Sequence, residues 1–365
     1  MQTNSIVRYN IMGTTIKDIA AAMHVSPATV SLALNGKPGV SDAVRSRIIQ
    51  AASDMQYSPR QEKTTANKLT VRYVISVIEG SVVNSISFHS LVLKGIEKKA
   101  QELGYDVLIS YLYDNNMLNE QLQELQKDVN GLLVLGTEFS EESPLCEALC
   151  HINQSVCPVV ILDNQLTHSP LDCISNDNFY GAYQAISYLL EKGHRHIGYF
   201  SSSDYISNFG ARADGVQAAV ARARTLYPDV TLTRIATRFS TRNAYTDIQK
   251  WIRSTDRSHI PTAYFADSDI IAFGALQAFS ASGYRTPEDI SIIGFDDMPE
   301  CSMIMPPLTT IHVAKEKMGI EGMRLMNRRI KERGSSPLND PTNHPPLRIT
   351  ISNGVKERRS VLTLP

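Results

Sequence analysis

Two short helices that meet at a tight turn are predicted near the N-terminus, and this pattern constrains the fold more than any other stretch of the chain. Thr15 precedes Asp18 by three residues, the spacing of a capping box at a helix start. Ser26 is a good N-cap for the second helix, and Pro27 follows at the first helical position, where a missing N–H costs nothing. Asn-Gly at 35–36 ends that helix as a left-handed C-cap does. The segment therefore predicts a compact helical unit.

A third helix follows, from a cap at Ser41 to the stop at residues 57–59, which are Tyr-Ser-Pro. The second helix turns Val30, Ala33 and Leu34 inward, so its opposite face points away from the core. Two helices joined by a turn of about four residues and braced by a third form the helix-turn-helix unit, whose second helix enters the major groove of DNA. An ordinary three-helix bundle without a nucleic acid partner has the same spacing, so spacing alone leaves both interpretations open.

The residues within this unit favour the DNA-binding interpretation. The runs TIKDIA and VSPATVSLALNGKPGVS, and the helix from Arg45 to Tyr57, resemble the headpiece of the LacI/GalR family of bacterial repressors over more than forty consecutive residues. At the family's base-reading positions Pro27, Ala28 and Leu32 offer no bidentate fork, so we expect Ala28 and Leu32 to contact thymine methyl groups. The resemblance implies a DNA-binding face made by Thr15, Lys17, Ser26, Pro27, Ala28, Thr29, Ser31, Leu32, Asn35 and Lys37.

Length and charge divide the chain into a small head and a larger body. At 365 residues the chain suits about two or three domains. Residues 1–72 carry nine Lys or Arg against four Asp or Glu, net +5, whereas residues 73–365 carry 27 against 33, net −6. A basic head on an acidic body fits a head that meets phosphate, although five charges are few enough to arise by chance.

The segments that flank the headpiece, residues 14–59, are polar. Residues 1–13 are an unpatterned extension that we expect to be disordered, and residues 60–72 have the composition of a linker. In the LacI/GalR family this linker becomes a hinge helix on the operator, and a leucine from each subunit wedges into the minor groove. The leucine position falls on Ala66, and Leu69 lies three residues later, so the hinge contact is either of the two.

From Val74 onward, short apolar segments alternate with longer amphipathic ones. The apolar segments are about five residues long and nearly continuously hydrophobic, as strands buried on both faces are. They lie at residues 73–78, 106–110, 131–136, 158–163, 196–200, 262–266 and 290–295. This alternation predicts parallel sheets with right-handed crossovers.

The body resembles the periplasmic-binding-protein-like core of the LacI/GalR family, in which two α/β lobes enclose a cleft. The resemblance implies an effector-binding and dimerisation domain over residues 73–354, with crossings between the lobes near residues 175, 305 and 340, and a tail at 355–365. The predicted fold is therefore an all-α helix-turn-helix headpiece followed by a two-lobed α/β core with parallel sheets.

Short motifs of the body match the family's ligand-binding positions. LDN at 162–164 places Asp163 at a strand end, NFGARADGV supplies Arg212, and GFDD supplies Asp296. A buried charge without a partner is costly, which favours a ligand role for Arg212 and Asp296. The further positions that the resemblance implies are Phe88, His89, Asp177, Ser268 and Asp269.

Two of these positions have an equally simple structural explanation. Asp269 is expected to begin a helix, where an acid complements the helix dipole without any ligand. Phe88 can stack on a sugar or a base, or it can pack in the core.

A sugar or sugar phosphate is the expected effector. The family's purine-responsive branch has a second aromatic residue at the position of His89 and a second arginine at that of Ile206, so a purine is disfavoured. Arginine only donates hydrogen bonds and aspartate only accepts them, a combination that suits a polyhydroxylated ligand.

An enzyme is the rival class, because a two-lobed α/β core with acids in its cleft can host catalysis. The sequence contains no P-loop, GxSxG, HExxH or dinucleotide-binding fingerprint. Cys146 and Cys150 are too widely spaced for a CxxC site, and five cysteines are an odd number, so we expect reduced thiols, no metal and no cofactor.

The expected partner and compartment follow from the headpiece and from hydropathy. One headpiece covers only a half-site, so we expect a homodimer on double-stranded operator DNA. No apolar run is long enough for a membrane span, and the N-terminus lacks a signal-peptide core, which predicts a cytoplasmic protein with no membrane partner.

Overall fold

The computed structural model describes residues 14–34, 37, 39–55, 57, 68–78, 86–115, 117–138, 140–204, 206–334 and 345–365. The chain divides into two units, a headpiece within Met1–Lys68 and a core over Leu69–Pro365. The predicted extension at 1–13, Asn35 and the hinge position Ala66 lie outside the described residues.

Three helices build the headpiece: α1 (Ile16–Met23), α2 (Pro27–Leu34) and α3 (Asp42–Asp54). Thr15 and Asp18 form the predicted capping box, and Ser26 Oγ accepts a hydrogen bond from the N–H of Thr29 at 3.0 Å. Ser41 holds the N-cap position of α3 but makes no side-chain capping bond. The predicted helix-turn-helix unit is confirmed, and its core is Ile19, Ala20, Val30, Ala33, Ile48 and Ala52.

A six-stranded parallel sheet forms the first lobe of the core. Its strands are β1 (Thr70–Ile78), β2 (Asp106–Asp114), β3 (Gly131–Leu135), β4 (Val159–Leu162), β5 (Asp172–Asn176) and β11 (Arg348–Ile351), in the order β11-β5-β4-β3-β1-β2. Its helices are α4 (Ile86–Leu103), α5 (Leu118–Leu125), α6 (Pro144–Ser155) and α11 (Lys315–Arg333). Leu133 and Leu135 of β3 pack with α4 and α11, and Leu132 and Val134 pack with α5 and α6. The strands are thus buried on both faces, as the sequence predicts.

A second six-stranded sheet forms the second lobe. Its strands are β6 (His196–Ser202), β7 (Thr231–Thr237), β8 (Ala263–Ala266), β9 (Ser291–Asp296), β10 (Thr309–His312) and β12 (Gly354–Lys356), in the order β12-β10-β9-β8-β6-β7. Only the short edge strand β12 is antiparallel within this sheet, and it pairs with β10. The helices of this lobe are α7 (Asn178–Glu191), α8 (Ser207–Arg224), α9 (Thr241–Ser254) and α10 (Asp269–Ala281), with 3-10 turns at Arg257–His259 and Pro299–Ser302.

The chain crosses between the lobes after β5, after β10 and after β11. The first crossing, at Asp177, is close to the predicted residue 175. The second lies at 313–314 and the third at 352–353, so the predictions near 305 and 340 are wrong. Residue 305 belongs to the loop that leads into β10, and residue 340 precedes β11, so in both cases a further strand comes before the crossing.

Two predicted boundaries are also wrong. Strand β1 starts at Thr70, and the carbonyl of Leu69 accepts from the N–H of Asp106 at 2.9 Å, so the end of the predicted linker 60–72 belongs to the first sheet. The predicted tail 355–365 packs on the second lobe: Ser360 is fully buried, and the N–H of Leu364 donates to the carbonyl of Lys192 at 2.8 Å. Hydrogen bonds to distant strands, which local composition does not reveal, hold both segments.

Candidate functional site

The outward face of α2 carries the residues predicted to read bases. Val30 and Ala33 are buried, whereas Pro27 and Ala28 are exposed and Leu32 is half-buried. Of the other predicted DNA-binding residues, Lys17, Ser26, Lys37 and Thr15 are exposed, and Thr29 and Ser31 are half-buried. These side chains lie at a surface, and their contacts with DNA stay predictions.

Arg45 of α3 holds the C-terminal end of α2, a role that the sequence analysis missed. Its guanidinium donates to the carbonyls of Ala33 at 3.1 Å, Leu32 at 3.3 Å and Lys37 at 2.7 Å. The last carbonyls of a helix have no partner within the helix, so this arginine supplies what the helix lacks. Arg45 therefore holds the end of α2 in place, although it lies on α3 and not on the outward face of α2.

A cavity that is partly open to solvent lies between the two lobes of the core. Four of the predicted ligand-binding residues line it: Phe88, Asp163, Arg212 and Asp296. The sequence analysis missed the other lining residues, most of which are apolar and resemble core positions. They are Thr137, Ile206, Asn208, Phe209, Phe239, Ile270 and Met298.

Arg212 is the hub of the polar side of the cavity, and it is 5% exposed. Its Nε donates to Asn178 Oδ1 at 2.9 Å, and its Nη atoms donate to the carbonyl of Asp267 and to Asp296 Oδ1, the latter at 3.3 Å. The guanidinium lies 3.7 Å above the ring centre of Phe295. These bonds use three of five N–H groups, so the described residues leave two for a ligand.

Asp296 is the last residue of the second-lobe strand β9, and its backbone is in a strained conformation, with φ of 116°. Burial raises its pKa, and the charges of Arg212 and Lys315 oppose that shift. Lys315 is 4% exposed, donates to the carbonyl of Asp296, and lies 5.5 Å from the ring centre of Phe88. Phe88 belongs to the first-lobe core and also lines the cavity, so its two predicted roles are compatible.

Asp163 supplies a second carboxylate, from the first lobe. Its backbone has φ of 61°, its Oδ1 accepts from Asn176 Nδ2 at 2.9 Å, and its Oδ2 accepts from Thr137 Oγ1 at 2.8 Å. Burial raises its pKa to about 7 in spite of these bonds. Asn208 of α8 donates to its backbone carbonyl at 3.0 Å, which ties the two lobes together beside the cavity. Positive φ at non-glycine residues is typical of functional sites, because it is retained only where the surroundings enforce it.

Four predicted ligand residues do not line the cavity. Asp269 is fully buried at the start of α10, where its carboxylate accepts from Thr310 Oγ1 at 2.6 Å and from the N–H of Met298 at 2.8 Å. Burial raises its pKa to about 7. Its neighbour Ser268 caps α10 by accepting from the N–H of Ile271 at 3.3 Å. The helix N-terminus accounts for Ser268, whereas the carboxylate of Asp269 is held by Thr310 of β10 and by the N–H of Met298.

The other two residues, Asp177 and His89, also lie outside the cavity lining. Asp177 caps α7 by accepting from the N–H of Tyr180 at 2.9 Å, and the next residue, Asn178, is the one that reaches Arg212. His89 is half-buried with its ring edge-on to Phe88, and burial lowers its pKa. Free N–H groups at a helix start attract side chains such as that of Asp177 whether or not a ligand is near.

Among the described residues, no group of three or more His, Cys, Asp or Glu side chains could hold a metal ion. In the same part of the chain, no helix is both long enough and apolar enough to span a membrane.

Residues 15–60 match the model of the "Bacterial regulatory proteins, lacI family", and residues 186–361 match the "Periplasmic binding protein-like domain". The HTH-type transcriptional repressor PurR of Escherichia coli O1:K1 / APEC is 30% identical over 353 residues, which cover 95% of this chain and 96% of that protein. The chain belongs to the lacI family of bacterial regulatory proteins. It is therefore a ligand-responsive transcriptional regulator with a DNA-binding headpiece.

Two solved structures of transcriptional regulators share this fold. The transcriptional regulator CelR in complex with cellobiose is 24% identical with a TM-score of 0.65, and the match covers 95% of this chain and 99% of that one. The lac repressor dimer bound to operator and the anti-inducer ONPF is 20% identical with a TM-score of 0.65, over 96% of this chain and 100% of that one. Both confirm the predicted headpiece and two-lobed core.

Proposed function

We propose that this lacI-family regulator is a repressor of a sugar-utilisation or related metabolic operon, and that a sugar or sugar phosphate in the interlobe cavity shifts its operator affinity. The observation that carries the proposal is that the Arg212 guanidinium, ion-paired with Asp296, and the buried carboxylate of Asp163 line one cavity. The rest of that cavity is mostly aromatic and aliphatic. Sugar hydroxyls both donate and accept, so one sugar can satisfy the guanidinium and the carboxylates together.

The apolar lining supports the same ligand class. The rings of Phe88, Phe209 and Phe239 offer faces to the C–H side of a sugar, and the CelR structure was solved with cellobiose. A purine is the second candidate, because the relative PurR spans nearly the whole chain. Ile206 is 7% exposed and lines the cavity. The purine-responsive branch has an arginine at this position, and isoleucine cannot donate the hydrogen bonds that an arginine donates. This difference argues against a purine.

We infer that the active species is a homodimer. Both lobes expose apolar side chains: Leu108, Ile109, Tyr111 and Tyr113 on the edge strand β2 of the first lobe, and Met303 and Met305, 78% and 84% exposed, before β10 of the second. Contiguous exposed apolar surface marks protein interfaces. A second copy of the chain fits best, since one headpiece binds one half-site and two tethered headpieces bind a whole operator.

The decisive experiment is an operator footprint of the full-length protein, selected from random DNA and repeated with separate panels of sugars, sugar phosphates and purines. We expect one sugar-class ligand to change occupancy of the operator, and Arg212→Ala to remove that change. A response to purines alone would overturn the effector class, and no sequence-selective footprint would overturn the operator-binding role. Sedimentation of Tyr111→Lys, with Leu226→Lys as the exposed control, tests the dimer.

A further inference from the structure

Two thiols of α6 share one hydroxyl in the first lobe, outside the cavity lining. Cys146 Sγ donates to Ser169 Oγ at 3.9 Å, and Cys150 Sγ lies 3.5 Å from the same oxygen. Cys146 is 2% exposed, whereas Cys150 is partly exposed. The cluster therefore has one thiol that a reagent can reach and a second thiol directly behind it.

The surroundings make Cys150 the reactive member of the pair. Contact with the Cys146 thiol lowers the pKa of Cys150 and the Ser169 hydroxyl acts in the same direction, whereas burial and the carboxylates of Glu141 and Glu147 act against them without reversing the shift. The thiolate is the nucleophilic form of cysteine. By contrast, burial raises the pKa of Cys157 to about 11, as it does that of Cys173.

Helix geometry brings the two cysteines close together but leaves a disulfide between them strained. Residues four apart on an α-helix have Cα atoms about 6.2 Å apart, within the range that disulfides span. Their Cβ atoms are about 5–6 Å apart, farther than the roughly 4 Å of a relaxed disulfide. A bond between Cys146 and Cys150 therefore needs a local distortion of α6, and a strained disulfide is readily reduced again.

We propose that Cys146 and Cys150 are a redox-active dithiol that a small-molecule disulfide closes to a reversible intrahelical bond. The Cys150 thiolate attacks one sulfur of the reagent, which forms a mixed disulfide and releases one thiolate that takes up a proton. Cys146 then passes its proton through Ser169 to solvent and attacks the Cys150 sulfur, which releases the second thiol. Two protein thiols are oxidised, and one disulfide is reduced to two thiols.

Formation of the disulfide affects the segment that connects the cavity residue Asp163 to β5. Ser169 lies in the connection from Asp163 to β5, and its Oγ accepts from the N–H of Leu171 at 3.3 Å. Glu141 accepts from the N–H groups of His168 at 2.7 Å and Ser169 at 2.9 Å. When the sulfurs leave Ser169, its hydroxyl loses two partners, and the amides of His168, Ser169 and Leu171, the residues of 168–171 that carry an N–H, exchange with solvent faster.

The test uses the full-length protein treated with glutathione disulfide, followed by peptide mapping without reductant and by hydrogen exchange. We expect a 146–150 bridge that dithiothreitol reverses, with faster exchange at 168–171. Cys146→Ala should stop at one glutathione on Cys150, added more slowly than in the wild type because the Cys146 thiol no longer lowers the pKa of Cys150. Cys150→Ser should give neither product, and Cys157→Ala should behave as the wild type does.

Three results would overturn the proposal. They are glutathionylation of Cys150 no faster than that of Cys157, a bridge from Cys150 to another cysteine, and unchanged exchange at 168–171 in the bridged protein. Each is read without effector or DNA, so it is independent of the proposed function. Thermal unfolding of the variants identifies any that is misfolded, and Cys146→Ser then replaces Cys146→Ala.

Discussion

Removing the Arg212 guanidinium should separate its structural role from its ligand-binding role. Arg212 and Asp296 form an ion pair at 3.3 Å whose side chains are 6% and 16% exposed. Breaking a buried pair by deleting one partner costs about 3–5 kcal/mol, because the other charge stays buried. Unfolding a unit as long as the core carries an entropy of about 0.6 kcal/mol/K, so Arg212→Ala should lower Tm by about 5–8 °C.

A double-mutant cycle with Asp296→Asn tests whether the pair is the cause. In the wild type, Asp296→Asn removes a partner of the guanidinium and should lower Tm. In the Arg212→Ala background the carboxylate has lost its ion-pair partner and keeps only the nearby charge of Lys315, so the same change should lower Tm less than it does in the wild type. Differential scanning calorimetry at pH 8 measures all four proteins, with the exposed Arg222→Ala on the same helix α8 as the control.

The functional half of the prediction is measured on operator DNA. Because the headpiece is untouched, Arg212→Ala protein below its Tm should bind operator as the wild type does and should not respond to effector. A variant that melts within 2 °C of the wild type, on the scale of about 1 kcal/mol or less, contradicts the ion-pair argument. A variant that still responds at the wild-type effector concentration removes Arg212 from the binding site.

Four further predictions concern single side chains. Leu32→Ala should weaken operator binding by about 1–3 kcal/mol and relax preference at one base pair, and unchanged selectivity across a randomised operator library would exclude the contact. Arg45→Ala should weaken binding to every operator sequence by loosening the end of α2, whereas Arg47→Ala on the exposed face of α3 should not; gel-shift titrations distinguish them. Leu69→Ala should leave operator bending unchanged in a circular-permutation assay, since the Leu69 carbonyl is bonded to β2. The pKa of Asp163 is raised to about 7 by burial, so its contribution to stability is complete below the unfolded pKa of about 4 and is lost as pH rises through 7; the fall in Tm between pH 5 and pH 8 should be smaller in Asp163→Asn.

Features that depend only on neighbouring residues could be predicted from the sequence. The Thr15–Asp18 capping box, the Ser26 cap and the buried strand segments all follow from spacings of two to four residues, and each is present in the structure. The amino-acid motifs of the headpiece predicted the family. Motif matches also found the cavity residues Phe88, Asp163, Arg212 and Asp296.

The tertiary structure decided which polar side chains face a cavity and which satisfy the backbone. Asp269 and Asp296 are both acids at the edge of the second sheet. The carboxylate of Asp269 accepts hydrogen bonds from Thr310 and from a backbone N–H, whereas that of Asp296 forms an ion pair with Arg212. Residue 355 onward looks like a tail and is bonded to β10 and to α7. Each outcome depends on hydrogen-bonding partners many residues away, and a local pattern contains no information about groups that only folding brings together.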